Sequence, residues 1–178
     1  FEVSLFDKVY VVALKEHVEK YTDKNLLIKS LKKNISKKVE LVILKKRTSC
    51  PTETIINLLK IKKISGSILI KDCDNQFSIS KNDLRAKTLK NSIYAINVKS
   101  LDLIDAKNKS YIQTNNDNSV INIIEKSVIS DLFCCGAYCF ENVNDFYKYG
   151  LQLLKKSKNV FISHIILKMI LEEIGRAH

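Results

Sequence analysis

The chain has 178 residues, of which 46% are hydrophobic and 28% charged, and its formal net charge is +11. Those values fit one globular domain with a real core; no apolar run approaches the ~18 residues of a membrane span, so no membrane partner is expected. The positive balance invites a nucleic-acid partner, but the lysines are scattered through KSLKKNISKK, LKK, KIKK and LLKKSK rather than clustered beside aromatic residues, so the expectation is solvated faces and no nucleic acid.

KVYVVAL (8–14) is a continuous apolar run with β-branched residues, the pattern of a strand covered on both faces. KEHVEKY (15–21) reads as a short helix, NLLIKSLKKN (25–34) as a second, amphipathic one, and KVELVILKK (38–46) as another buried strand. In RTSCPTETIINLLKIKK (47–63), Pro51 and Thr52 signal a helix start, with Glu53 in the first turn and Ile55, Ile56, Leu58 and Leu59 behind it. SILIKDCD (67–74) supplies a third strand. Residues 7–75 therefore alternate strand and helix, which predicts parallel strands joined by crossovers.

Beyond residue 75 the pattern changes. SIYAINVKS (92–100), KSYIQT (109–114), SVINIIEK (119–126) and LFCCGAYCF (132–140) are strand-like, separated by Asn/Asp-rich turns such as NNDN. VNDFYKYGLQLLKKS (143–157) and NVFISHIILKMILEEI (159–174) read as two helices. The whole is one α/β domain over residues 1–174 with a mostly parallel mixed sheet. GRAH (175–178) does not continue the helix pattern and is expected to be a vector-derived remnant.

The four glycines (Gly66, Gly136, Gly150 and Gly175) cannot assemble a Gly-rich phosphate loop. The five cysteines include the adjacent pair Cys134 and Cys135 and no CxxC; with an odd count and no secretion signal, they read as reduced, mostly buried thiols of a cytoplasmic protein.

ILIKDCDNQF (68–77) raises the chemical question, because an apolar strand stops there on two aspartates one residue apart. Asp and Asn start turns well; a carboxylate pair at the carboxyl end of a strand is also where α/β proteins hold ligands. Glu125 and Lys126 form an adjacent acid and base at the end of another strand, so their side chains diverge. Such a pair is commonly an exposed, solvated dipeptide. Gly136 marks a β-bulge or a close backbone approach. His164, a lone histidine in FISHIIL, reads as a core residue.

Taken in order, these segments resemble the sugar-phosphate nucleotidyltransferases of the nucleotide-diphospho-sugar transferase superfamily. TSCPTET resembles that family's Thr-x-Gly-x-Ala-x-Thr segment, LIKDCDN its Gly-Asp-Asn strand end, IIEK its Glu-Lys pair and GAYCF its Gly-x-Tyr-x-Phe strand. FISH stands where many members have Ile-Ser/Thr-Asp, and the similarity spans roughly residues 7–172. The resemblance implies a three-layer, Rossmann-like α/β fold and transfer of a nucleotidyl group from an NTP to a sugar phosphate, with release of pyrophosphate, for surface polysaccharide synthesis. It also leaves open a cytidylyltransferase for a small alcohol phosphate such as phosphocholine, or a non-catalytic nucleotide-binding relative. It makes Asp74 and Lys126 catalytic, with Asp74 a Mg²⁺ ligand and Asp72, on a usually apolar position, a second. Glu125, Gly136, Pro51, Thr52 and His164 become substrate-binding positions. Two departures stand out: His164 replaces a frequent second metal-binding Asp, and the family's Gly-rich loop, with its Arg and Lys, lies ahead of FDKVYVV and is absent here. Without that loop the chain is expected to be inactive by itself.

Overall fold

The alternation over the first half builds the elements it predicts. The computed structural model of the protein describes residues 3–80, 82, 90–100 and 108–176. Strand β1 (Val9–Leu14) leads into helices α1 (Lys15–Tyr21) and α2 (Lys24–Asn34), then strand β2 (Val39–Leu44), helix α3 (Pro51–Lys62) and strand β3 (Ile68–Lys71). Strands β4 (Ser92–Asn97), β5 (Ser110–Thr114), β6 (Val120–Glu125) and β7 (Leu132–Phe140) follow, then helices α4 (Val143–Leu154) and α5 (Ile162–Arg176). Two boundaries differ from expectation: residues 98–100 form a 3₁₀ turn rather than extending β4, and α5 continues through Gly175 and Arg176.

The sheet departs from the parallel expectation. β1 and β2 pair in parallel, from Val9–Val39 to Leu14–Leu44, and this is the one parallel ladder among the described residues. The pairs β3–β7, β4–β7, β5–β6 and β5–β7 are all antiparallel, and β3 joins them rather than β1 or β2. Connection length explains one of these pairs. A parallel pair needs a crossover of roughly a dozen residues. β5 and β6 are instead joined by a tight turn in which Asn115 Oδ1 accepts the N–H groups of Asp117 and Ser119, with Asn118 at φ 60°.

The core lies where α3, α4 and α5 meet β7. Ile56 and Leu59 of α3, Cys134, Tyr138 and Phe140 of β7, Phe146 and Tyr149 of α4, and Ile162 and Ile165 of α5 form one buried cluster. Phe140 meets Phe146 edge-on, with ring centroids 5.0 Å apart. All five cysteines are free thiols, and only Cys73 is exposed. Burial pushes the Cys134 thiol up to about 12, so it is an inert core residue. Among the described residues no helix is long and apolar enough to cross a membrane.

In the first turn of helix α3, Glu53 reaches back to Ser49, the residue before the N-cap Cys50. Glu53 accepts the Ser49 N–H at 2.6 Å and the Ser49 hydroxyl at 2.7 Å, and these two bonds hold its carboxyl below the usual range. An acid with a depressed folded-state pKa contributes stability above its unfolded pKa of ~4.3 and loses it as pH falls through the lower folded value. Glu53→Ala is expected to cost about 0.5–2 kcal/mol at neutral pH, and the gap to the parent should close toward about pH 3. Urea midpoints at the two pH values measure it; an unchanged gap in acid would assign the loss to packing instead.

Candidate functional site

Strand β3 ends where β7 bends. Gly136 sits in β7 at φ 80°, and the ladder with β4 slips there, from Tyr94–Ala137 to Ala95–Cys134. The Gly136 carbonyl accepts the Asp72 N–H at 2.8 Å. A Cβ on Gly136 would lie 2.6 Å from Asn75 Nδ2 and 2.7 Å from Asp72 Oδ2, so the atoms seated over this glycine belong to the aspartate loop itself. Lys71 folds back across that loop. Its Nζ donates to the carbonyls of Asp72 at 2.8 Å and Asn75 at 2.5 Å, and it stands 4.8 Å from the Phe77 ring centre.

The two aspartates differ in environment. Asp74 is exposed and Asp72 half-buried. Burial, and then the charge of Asp74, lift the Asp72 carboxyl above the usual carboxylate range; Glu125 adds to the rise, while Lys71 and Lys109 oppose it. Asn75 links the group through its amide. Its Nδ2 donates to Asp74 Oδ1 at 3.3 Å, and its Oδ1 accepts from Lys109 Nζ at 3.4 Å.

Glu125 closes β6 opposite Ser110, the first residue of β5. Its Oε2 accepts from Ser110 Oγ at 2.5 Å and from Ser163 Oγ at 2.7 Å. Ser163 lies in the first turn of α5 and is 1% exposed, so the carboxylate ties that helix to the sheet. Hydrogen bonds to a charged group are worth about 1.5–3 kcal/mol each. Lys126 adopts φ 57°, donates its N–H to the Lys109 carbonyl at 2.9 Å, and sets its ammonium 5.0 Å from the Phe161 ring centre. Acid and base therefore diverge: Glu125 turns into the seam with α5, and Lys126 is exposed.

His164 sits in the same first turn, half-buried. Its Nδ1 accepts the Phe161 N–H at 3.2 Å, and its ring meets Phe161 edge-on at 5.6 Å. Nδ1 is thus engaged as an acceptor at the start of α5.

TSCPTET lies elsewhere, at the start of α3. Thr48 and Thr54 share a hydroxyl–hydroxyl bond of 2.5 Å. Thr52 is fully buried with no hydrogen-bond partner for Oγ1 among the described residues, and its methyl packs near Gly150. Pro51 is exposed. An open cleft of about 640 Å³ runs beside this segment, between α3 and α4, and none of Asp72, Asp74, Glu125 or Lys126 lines it.

The fold thus brings Asp72, Asp74, Gly136, Glu125 and Lys126 to one end of β3, β6 and α5, and leaves Pro51 and Thr52 on another helix. Sequence reasoning missed Lys71, Asn75, Lys109, Ser110 and Ser163. Lys71, Asn75 and Ser163 were within reach, since each stands inside a quoted motif, LIKDCDN or FISH. Lys109 and Ser110 carry no local signal, because pairing between β5 and β6 is what aligns them with Glu125.

No group of three or more His, Cys, Asp or Glu side chains converges into a metal cage among the described residues. Mg²⁺ seldom uses such a cage. One or two carboxylates with water and phosphate oxygens suffice, and a divalent cation would favour the ionised Asp72 carboxyl that burial, and then the charge of Asp74, disfavour. Asp72 and Asp74 fit Mg²⁺ on those terms.

No protein-family model and no curated protein sequence matches the chain. Solved structures do share its fold. The nucleoside-diphosphate-sugar pyrophosphorylase from Vibrio cholerae RC9 aligns at a TM-score of 0.71 and 16% identity, over 92% of this chain and 68% of its own. The inositol-1-phosphate CTP transferase from T. maritima aligns at 0.63 and 16% identity, over 92% and 62%. A UDP-glucose pyrophosphorylase complexed with UDP-glucose aligns at 0.61 and 13% identity, over 90% and 68%. The chain therefore has a nucleotidyltransferase-type α/β fold and spans between 62% and 68% of the length of these three proteins.

Gly136→Ala tests the geometry at the centre of the site. The added Cβ needs both a left-handed backbone and space held by Asp72 and Asn75, so the expected cost is about 1–3 kcal/mol in urea unfolding. Unchanged stability would mean that the aspartate loop yields freely.

Proposed function

We propose that the protein is a nucleotidyltransferase that joins an NTP to a sugar phosphate and releases pyrophosphate, producing an activated sugar of the kind surface polysaccharide synthesis consumes. The observation that carries this reading is the gathering of Asp72, Asp74 and Glu125 with Lys109 and Lys126 around the bend at Gly136, within a fold that solved pyrophosphorylases share. An oxygen of the acceptor phosphate attacks the α-phosphorus in line. The bond to the bridging oxygen breaks, and pyrophosphate leaves with the electron pair.

Asp74, with Asp72 beside it, would hold Mg²⁺, which when bound supplies positive charge to the phosphate oxygens. The exposed ammonium of Lys126 neutralises phosphate charge as it develops. Glu125, steadied by two serines through Oε2, keeps Oε1 to accept acceptor hydroxyls. Nothing here calls for a covalent intermediate; alignment and charge carry the reaction.

The acceptor is hydroxyl-rich rather than choline-like. A quaternary ammonium needs open aromatic faces, but Phe77, Phe133 and Phe161 each already face a lysine of the protein, Lys71, Lys109 and Lys126 respectively. A polyol phosphate as acceptor is consistent with the same site, and an inositol-phosphate CTP transferase is among the structural neighbours.

Pyrophosphate release by the complete protein, assayed with Mg²⁺, each NTP and a panel of sugar and polyol phosphates, tests the reading. Asp74→Ala should abolish Mg²⁺-dependent release, and Lys126→Ala should lower kcat about 10²–10³-fold. Glu125→Gln should raise KM for the phosphate acceptor and spare that for the NTP. Normal release from Asp74→Ala would remove this carboxylate from the reaction; exchanged effects at Glu125 and Lys126 would swap their roles.

A further inference from the structure

Glu125 and Lys126 end the last strand of their sheet among the described residues, a place where side chains are ordinarily free to move. Lys126 also holds a left-handed backbone, φ 57°, which a lysine keeps only when its surroundings impose it. Those surroundings include the start of α5, which packs along β6. Val160, Ile162 and Ile165 are buried in the apolar cluster, so this turn is fixed to the core.

Between those anchors the same turn reaches both members of the pair. Ser163, 1% exposed, donates its hydroxyl to Glu125 Oε2 at 2.7 Å, and Ser110 of β5 donates to the same oxygen. The ring of Phe161 stands 5.0 Å from the Lys126 ammonium. Phe161 is braced in turn by His164, which accepts its N–H at Nδ1 and donates its own N–H to the Phe161 carbonyl, each at 3.2 Å. Contact with a ring face holds an ammonium in place without using its N–H groups, which stay available to a phosphate.

We propose that the start of α5 is the positioning element of the site, with Ser163 a positioning residue for Glu125, and Phe161, braced by His164, one for Lys126. The proposal rests on the nucleotidyl-transfer reading and adds a division of labour to it. A carboxylate with one oxygen held by two hydroxyls presents the other in one direction. Losing the Ser163 hydroxyl frees it to turn and weakens its grip on acceptor hydroxyls in the ground state. The lysine acts on charge that develops during transfer, so freeing its flexible stem slows turnover instead.

Steady-state kinetics of the complete protein, with Mg²⁺ and the pair of NTP and sugar or polyol phosphate that gives fastest release, test it. Ser163→Ala should raise the acceptor KM about three- to tenfold and leave kcat and the NTP KM unchanged. Ser110→Ala should move the same constant, Ser163→Thr should restore it, and Ser163→Ala should add little to Glu125→Gln. Phe161→Leu should lower kcat about two- to fivefold at unchanged acceptor KM; Phe161→Tyr should restore it, and His164→Ala should follow Phe161→Leu. In a Lys126→Ala background Phe161→Leu should change nothing further. A merely structural turn would lower the folded fraction, and with it apparent kcat, in every variant while each KM stayed put. Unchanged acceptor KM in both serine-to-alanine variants, or a Phe161→Leu loss undiminished in Lys126→Ala, would overturn the inference and leave the transfer reading standing. No release from any pair by the parent would overturn both.

Discussion

The site depends on one backbone conformation, the left-handed turn at Gly136 in the middle of β7. A nine-residue strand that simply ran straight would keep a side chain at every position and hold the end of β3 away. At Gly136 there is no side chain, and the ladder with β4 slips. The aspartate loop occupies the space so left, hydrogen-bonded to the glycine's own carbonyl. On one side of the bend β7 pairs with β3, and on the other with β5. The same bend therefore brings the end of β3 level with the start of β5, and β5 carries Glu125 through its pairing with β6.

Charge is distributed against the trend of the chain. A protein of net charge +11 collects Asp72, Asp74 and Glu125 close enough for Asp72 to feel both of the others. The cations that would balance them are partly committed elsewhere: Lys71 to backbone carbonyls, Lys109 to Asn75, Lys126 to the face of Phe161. Burial, and then repulsion that Lys71 and Lys109 only partly offset, therefore raise the Asp72 pKa, an arrangement stable in the fold because Gly136, Lys71 and the two serines over-determine its geometry. The opposite pole is the cleft between α3 and α4, where cations outnumber acids. The apolar cluster of α3, β7, α4 and α5 reaches the wall of that cleft through Ile56.

Local pattern was enough to read the elements themselves. The apolar run of Val9–Leu14, the Pro51 start of α3 and the strand end before Asp72 come out within a residue or two, since each is decided by side chains adjacent in sequence. Asp72, Asp74, Glu125, Lys126 and Gly136 were also legible as an ordered set of motifs. Strand direction was not. Crossover logic predicted a mostly parallel sheet, whereas β3, β4, β5, β6 and β7 join only antiparallel pairs; of these the tight turn between β5 and β6 was too short for a crossover.

The sequence by itself therefore determined which segments become strands and helices, and which residue types could do chemistry, because propensity, capping and spacing act over a few residues. Tertiary structure alone decided that Ser110 and Ser163, from a strand and a helix far apart in the chain, hold one oxygen of Glu125. It alone made His164 Nδ1 an acceptor at the start of α5, buried Thr52 against the next helix, and brought two separate basic runs to one cleft. Those outcomes depend on register and on helix packing against β7, and both are set by the contacts of the whole core rather than by any local stretch of sequence.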